Sequence, residues 1–248
     1  MEEKTSGYER TGMGAELKLL LREPPLLLSI LAVFLIFAVF VIYPFAKILF
    51  VPTGNDWVRA VTAPEFVEVF SHTIYSSLAA TGTAIVFGFI FAYGVNYTNM
   101  PCKRFFQVVA LLPTMAPSVV SGLAFIMLFG RRGFITWELL RLKIDLYGPI
   151  GLWVAQSIAF FPLAYITISG VLKNISPNLE LAAQNLGARG WYLFRTVTLR
   201  LATPGLASAF LLVAINSLAD FGNPMLVGGN YHVLATEAYA QVTGAWDL

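Results

Sequence analysis

Long apolar segments alternate with short polar ones along most of the chain. The first clear apolar segment extends from Leu26 to Phe50 and contains no charged residue before Lys47. A membrane-spanning helix needs about 20 mostly apolar residues. The apolar core of a cleavable signal peptide has only roughly 7–15 residues and precedes a small-residue cleavage site. We therefore predict that this segment is a retained transmembrane helix.

Four further segments have the same length and apolar character. They are Thr73–Thr98, Phe105–Phe129, Ile150–Leu172 and Pro204–Val227. The pattern predicts an all-α, polytopic membrane protein with about five transmembrane helices in this chain.

The same pattern divides the chain into parts. We predict an N-terminal segment (residues 1–25), a first transmembrane helix (26–50) and a core (73–248) with a polar loop at 173–203. Positively charged residues in short loops favour the cytoplasmic side. They are concentrated in the segments that lie inside if the N-terminus is cytoplasmic, although the loop at 130–149 opposes this bias. We predict a cytoplasmic N-terminus.

Composition agrees with a membrane protein and leaves little room for other classes. Hydrophobic residues make up 57% of the chain and charged residues 12%, which is far more apolar than a soluble domain. Cys102 is the only cysteine, and His72 and His232 stand apart in the sequence. No phosphate-binding glycine loop is present. We predict no catalytic residue, no metal site and no cofactor bound by this chain, and the net charge of +2 gives no reason to expect nucleic acid.

The polar loop has the pattern of two short helices joined at a glycine. Ser176 and Pro177 favour a helix start. The serine side chain can accept a hydrogen bond from a first-turn amide, and a proline at the first helical position loses no hydrogen bond by lacking an N–H. Gly187 favours a stop. The residues between them that form one apolar stripe at helical spacing are Leu179, Ala182, Ala183 and Leu186. Chemistry alone also allows a helix lying on lipid headgroups.

Two further features interrupt the apolar segments. Pro113 and Pro117 break the third segment, and broken helices in transporters occur where the backbone lines a cavity or a moving joint. Asp220 lies in the fifth segment, where an acid costs about 2.5–3.5 kcal/mol at the membrane centre and is expected to face a partner, water or a solute path. Near the outer mouth, a structural role such as accepting a hydrogen bond from Asn223 is at least as well favoured. We assign to a translocation pathway Pro113, Pro117, Ser118, Asn216, Asp220 and Asn223.

The polar loop resembles a motif of the permeases of binding-protein-dependent ABC importers, which reads EAA, three residues, Gly, nine residues, then Ile-x-Leu-Pro. Ala182, Ala183 and Gly187 occupy the Ala-Ala and Gly positions. Val197 and Leu199 occupy the Ile and Leu positions. The proline-broken third segment is also similar to this family. The resemblance covers the chain from about Thr73 to its end.

The resemblance implies a coupling role for the loop. Leu181 stands at the Glu position, with Glu180 one residue earlier, and Arg200 stands at the Pro position. The residues expected to couple to a cytoplasmic ATPase are Glu180, Leu181, Ala182, Ala183, Gly187, Val197 and Leu199. The implied partners are an ABC ATPase dimer that holds ATP and Mg, a periplasmic solute-binding protein, a second permease half (fused or separate) and membrane lipid. The implied location is the bacterial inner membrane.

The solute is the least determined part of this resemblance. The run from Ser217 to Pro224 looks like the ferric-iron branch of these permeases, often fusions of two halves, so we expect this chain to be an N-terminal half. Branches for phosphonate, sugar phosphate, thiamine and polyamine look similar. An ATP-independent channel or facilitator is the alternative from another class, and isolated histidines give an intramembrane enzyme little support.

Overall fold

The computed structural model describes residues 24–141 and 146–244. It divides the chain into two compact units that meet in the sequence between Ala63 and Pro64. All but two residues of the predicted N-terminal segment 1–25 lie outside the described residues. The second unit begins earlier than the predicted core at Thr73, because its first helix begins at Pro64.

The first unit contains a long apolar helix followed by a short one. Helix α1 spans Pro24–Phe50 and includes one π turn at Ala38–Ile42. Helix α2 spans Gly54–Thr62. No residue in the apolar window of α1 is buried. A helix that is apolar on every side suits lipid or another apolar helix as its surroundings, which agrees with the predicted first transmembrane segment.

The second unit is also helical throughout its described residues. Its helices are α3 (Pro64–Tyr97), α4 (Lys103–Leu111), α5 (Ser118–Phe129), α6 (Pro149–Asn174), α7 (Pro177–Asn185), α8 (Gly190–Leu218), α9 (Gly222–Val227) and α10 (Leu234–Gly244). The described part of the chain has five segments long and apolar enough to cross a membrane, namely Pro24–Phe50, Pro64–Tyr97, Ser118–Leu139, Pro149–Asn174 and Gly190–Leu218. The predicted fold class and number of transmembrane segments are therefore confirmed.

Helices α3, α6 and α8 pack against one another and form the core of the second unit. Helix α3 contributes a buried stripe of small residues four positions apart, which are Ser76, Ala80, Ala84, Gly88 and Ala92. A Cβ added to Gly88 would lie 2.8 Å from Ala164 Cβ in α6. Lipid tails are as apolar as the side chains, so the hydrophobic effect does not drive helices together in a membrane. Membrane helices associate instead through such close backbone approach.

The third predicted segment, Phe105–Phe129, is not one continuous helix. Helix α4 ends at Leu111, a 3-10 turn covers Leu112–Met115, and Ala116 is extended before α5 begins at Ser118. The physical reason is that a proline has no N–H to donate and disfavours helical geometry in the residue before it. The break occurs where the prolines predicted it, but the segment that can cross the membrane is Ser118–Leu139.

The fifth predicted segment, Pro204–Val227, is wrong at both ends. Helix α8 begins at Gly190, passes through a π turn at Phe194–Thr198, and continues past Pro204 to Leu218. Membrane helices tolerate an internal proline more readily than soluble ones. The second loop helix predicted after Gly187 is thus the start of α8.

Candidate functional site

The polar loop begins at α7 as expected, but with a different hydrogen bond. Ser176 is extended and precedes Pro177, the first helical residue. Its side chain makes no capping hydrogen bond, so that part of the prediction is wrong. The Leu179 amide instead donates to the backbone oxygen of Ser176 at 3.1 Å. The backbone carbonyl already accepts from the amide that the serine hydroxyl would have capped.

Helix α7 ends in a Schellman motif centred on Gly187. The glycine has φ of +90°, in the left-handed region. Its amide donates to the Gln184 oxygen at 2.9 Å, and the Ala188 amide donates to the Ala183 oxygen at 3.0 Å. These are the two bonds that define this helix ending. A Cβ on Gly187 would have no atom within 4 Å, so the glycine is required by backbone conformation and not by lack of space.

Most of the apolar stripe of the loop is exposed, and only Ala183 is half-buried. Leu186 is 90% exposed, and Leu179, Leu181 and Ala182 are also exposed. Trp191, in the first turn of α8, is 72% exposed. Exposed apolar side chains are thus available for contact with another molecule, with Leu179 and Leu181 on different sides of α7. We call Leu179, Leu186 and Trp191 the loop face.

Glu180 attaches the loop to two helices of the core. The Thr198 hydroxyl, in α8, donates to Glu180 Oε1 at 2.8 Å. The Tyr97 phenol, at the end of α3, also interacts with the Glu180 carboxylate. Sequence reasoning missed Tyr97 and Thr198, because only folding brings them to this carboxylate. The glutamate shifted by one position from the motif was the available signal.

An aromatic cluster fastens the start of α8 to α3. The Phe194 ring lies 5.2 Å from the Tyr93 ring and 6.0 Å from the Phe89 ring. The Trp191 ring stacks on Phe194 at 5.1 Å. Such pairs stabilise their contacts by about 0.5–1.5 kcal/mol beyond area burial. These contacts connect the start of α8 directly to α3.

Replacing Glu180 with leucine is expected to loosen α7. A half-exposed carboxylate with two partners stabilises by about 1 kcal/mol, which corresponds to roughly fivefold in an opening equilibrium. Amide hydrogen exchange across residues 177–187 should therefore become roughly fivefold faster, with exchange in α6 unchanged. Gln184→Leu, on the exposed side of the same helix, is the control. Equal acceleration in both variants would contradict the attachment.

A cavity of about 220 Å³ lies where the two interrupted segments meet. We call it the break cavity. It is lined by Pro113, Thr114, Ala116, Ser118, Ser121, Ala159, Phe160, Leu163, Asn216 and Asn223. Four of the six predicted pathway residues are therefore brought together: Pro113, Ser118, Asn216 and Asn223. Pro117 and Asp220 are not among the lining residues.

Asp220 lies beyond the end of α8, between α8 and α9, and is buried. Its Oδ2 accepts hydrogen bonds from Asn223 Nδ2 at 2.8 Å and from Gln156 Nε2 at 3.1 Å. The backbone N–H of Asn223 donates to Asp220 Oδ1 at 3.4 Å. The Ser217 hydroxyl donates to Gln156 Oε1 at 3.2 Å. Asp220 thus fixes the position of the Asn223 side chain. Sequence reasoning missed Gln156, although an amide inside an apolar segment was the signal.

Helices α5 and α9 meet tightly beside the break cavity. A Cβ on Gly222 would lie 2.8 Å from the Val119 nitrogen, in the first turn of α5. A Cβ on Gly122 would lie 2.8 Å from Leu226 Cδ1 and 3.4 Å from Asn223 Oδ1. We call this contact the α5–α9 seam. Two glycines allow it, one on each helix.

A larger cavity of about 560 Å³ has a different character. Its wall is mostly aromatic and aliphatic, and its polar groups are already paired. Trp153 Nε1 donates to Thr83 Oγ1 at 2.8 Å, and the Ser157 hydroxyl donates to the Trp153 oxygen at 2.7 Å. Such a wall suits an acyl chain or an apolar helix better than a polar solute. The smaller break cavity is therefore the better candidate for a solute path.

The two histidines, distant in sequence, are neighbours in the fold. His72 Nδ1 lies 3.2 Å from the His232 oxygen, and the Tyr231 ring stacks on His72 at 4.0 Å. Glu68 and Glu237 lie 4.0 and 3.9 Å from His72 and His232, respectively. The histidines are 160 positions apart in the sequence, and folding brings them together because α3 contacts α10 and the loop before it. Among the described residues, no group of three or more His, Cys, Asp or Glu could hold a metal ion.

Known proteins are similar to this chain in sequence and in fold. Residues 84–242 match the family model of the binding-protein-dependent transport system inner membrane component. The chain is 32% identical, over 93% of its length, to the ferric transport system permease protein FbpB of Actinobacillus pleuropneumoniae. It is 33% identical, over 65% of its length and 71% of the relative, to the molybdenum transport system permease protein ModB of Escherichia coli K12.

The fold is similar to that of a bacterial alginate ABC transporter in complex with its alginate pentasaccharide-bound periplasmic protein. The TM-score is 0.70 at 17% identity, and the match covers 92% of this chain and 86% of the other. The chain spans 38% and 35% of the lengths of two ferric-transport relatives. From its helices, its interrupted segments and these matches, we conclude that the chain belongs to the family of inner membrane components of binding-protein-dependent transport systems.

Proposed function

We propose that this chain is a permease subunit of an ATP-driven importer that moves ferric iron by alternating access. The observation that carries the proposal is the geometry of the polar loop. Apolar side chains of the loop are exposed, while its other side contacts the core. A second permease half, in the same polypeptide or a separate one, completes the pathway. The N-terminus lies in the cytoplasm, as the distribution of Lys and Arg favours.

The loop face is the proposed contact for a cytoplasmic ABC ATPase dimer, which holds ATP and Mg. Leu186 and Trp191 present apolar surface on both sides of Gly187. Apolar and aromatic anchors of this kind dominate the energetics of protein interfaces. Glu180 and Phe194 link the loop to α3 and α8. A push on the loop face therefore moves helices of the core.

The break cavity is the proposed part of the solute path. Non-helical backbone at membrane depth is tolerated where it lines a cavity, and two such breaks meet here. The sequence similarity to ferric permeases supports iron as the solute, whereas the similarity to ModB keeps molybdenum as the competing solute. The alginate transporter complex supports a periplasmic solute-binding protein as a further partner.

Uptake in cells that lack the native gene tests this proposal. The cells receive the complete natural gene or no gene, with the partner ATPase present or inactivated, and are given radiolabelled ferric iron or molybdate. We expect iron uptake that requires both the gene and an active ATPase. Uptake that persists without the ATPase would instead indicate a channel or facilitator. Molybdate uptake in place of iron would overturn the solute and retain the importer.

A further inference from the structure

We propose that the carbonyl oxygen of Asn223 contacts a hard cation when the α5–α9 seam opens, so that the break cavity favours cations over oxyanions. The inference rests on the proposed function, because it names the class of solute that the same pathway accepts. It identifies one atom that discriminates between the solutes of the similar permeases.

The orientation of the Asn223 amide is fixed by its neighbours. Asn223 Nδ2 donates to Asp220 Oδ2 at 2.8 Å, and Gln156 donates to the same oxygen. A flipped amide would place oxygen against carboxylate oxygen. Asn223 therefore presents only its oxygen to the remaining side. The carboxylate behind it polarises the amide and makes that oxygen more negative.

This oxygen has no partner in the present conformation. Asn223 is 1% exposed, and its Oδ1 is a buried acceptor without a hydrogen bond among the described residues. It lies in the α5–α9 seam, facing Gly122 of α5, while Asn223 itself lines the break cavity. A buried carbonyl without a partner is costly. Separation of α5 from α9 would remove this cost by exposing the oxygen to the cavity and its contents.

The charges around the cavity favour a cation. Its lining contains hydroxyl and amide groups and no Lys, Arg or His. The Asp220 carboxylate lies one hydrogen bond behind Asn223. Amide and carboxylate oxygens are ligands of hard cations. An oxyanion would instead meet a carbonyl oxygen backed by a negative charge.

The matched pair Asn223→Leu and Gln156→Leu tests the contact. Both variants remove one side-chain donor to Asp220, and Gln156→Leu also removes the hydrogen bonds between Gln156 and Ser217. Only Asn223→Leu removes the Asn223 carbonyl oxygen. The complete transporter, with its ATPase and binding protein, is reconstituted in proteoliposomes. We expect Asn223→Leu to lower ferric uptake about tenfold, the equivalent of one lost contact of about 1.4 kcal/mol, with ATPase activity stimulated by the loaded binding protein kept. Gln156→Leu should retain most uptake.

Several outcomes of this experiment would overturn the inference. Equal loss in both variants would mean that Asn223 acts only by holding Asp220. Unchanged uptake in Asn223→Leu, or joint loss of uptake and stimulated ATPase activity, would also contradict a solute contact. Failure of the intact transporter to move iron would instead count against the proposed function.

A thiol probe tests the charge preference without any solute. Ser121, in the lining, is changed to cysteine in a Cys102→Ser background. It is treated with positively and negatively charged methanethiosulfonates of similar size, at rest and during ATP turnover. Relative to free cysteine, we expect about a tenfold preference for the cationic reagent during turnover, lost when Asn223→Leu is added. A preference for the anionic reagent, or no reaction with either, would overturn the inference.

Discussion

Replacing Gly187 with tryptophan is expected to abolish uptake while membrane insertion and core packing persist. A Cβ at Gly187 would meet no atom within 4 Å, so the new side chain starts in open space. It projects beside Leu186, on the proposed ATPase contact. The left-handed φ of +90° adds backbone strain of about 1 kcal/mol. The measurement is solute uptake alongside ATPase pull-down from solubilised membranes.

Two smaller substitutions separate bulk from strain at this position. Gly187→Ala adds strain with almost no bulk, and Gly187→Asn adds a side chain that tolerates the left-handed region. We expect both to retain most uptake and to co-purify with the ATPase. Full uptake by Gly187→Trp would remove the loop from the coupling mechanism. Equal loss in all three variants would assign the effect to the helix ending and not to a partner contact.

Replacing Asp220 with asparagine is expected to destabilise the second unit by about 2 kcal/mol, because buried donors lose their acceptor. The carboxylate accepts from Gln156 and Asn223 on one oxygen and from the Asn223 backbone on the other. An amide has only one acceptor oxygen and places its own donors against theirs. The unfolding midpoint in detergent should fall, and uptake should fall with it.

The reversed pair is the sharpest control for this network. Asp220→Asn combined with Asn223→Asp restores one carboxylate and one amide in contact, so a double-mutant cycle should show recovery of part of the lost stability. Glu138→Gln, at an exposed position outside this network, serves as a surface control. If Asp220→Asn alone unfolds like the intact protein, the network contributes little to the fold, and Asp220 acts elsewhere.

The sequence predicted the secondary structure most accurately where the determining physics is local. Hydropathy over about 20 residues is sufficient to locate a transmembrane segment, and the structure confirms five of them. The stop at Gly187 followed from one residue type with access to the left-handed region. The helix start at Pro204 was misjudged, and the start after Ser176 was located correctly but without the predicted side-chain cap. Neighbouring turns decide whether a proline ends or kinks a helix and whether a serine caps one.

The spacing of the motif in the polar loop predicted the family, and the family assignment is confirmed. The contacts that attach the loop to the core could not be predicted from the sequence. Glu180 meets Thr198, 18 positions away, and Tyr97, at the end of another helix. A hydropathy profile contains no information on which of several polar side chains face each other across a helix pair.

Sequence alone thus determined the membrane class, the number of transmembrane segments, the glycine-centred loop and the presence of polar groups in two interrupted segments. Tertiary structure alone decided that these interruptions meet in one cavity, and that Asp220 lies behind its wall, held by Gln156 from 64 positions away. The physical reason is range. Helix formation and membrane partition depend on neighbours in the chain, whereas hydrogen-bond satisfaction of a buried polar group depends on which helices pack against it.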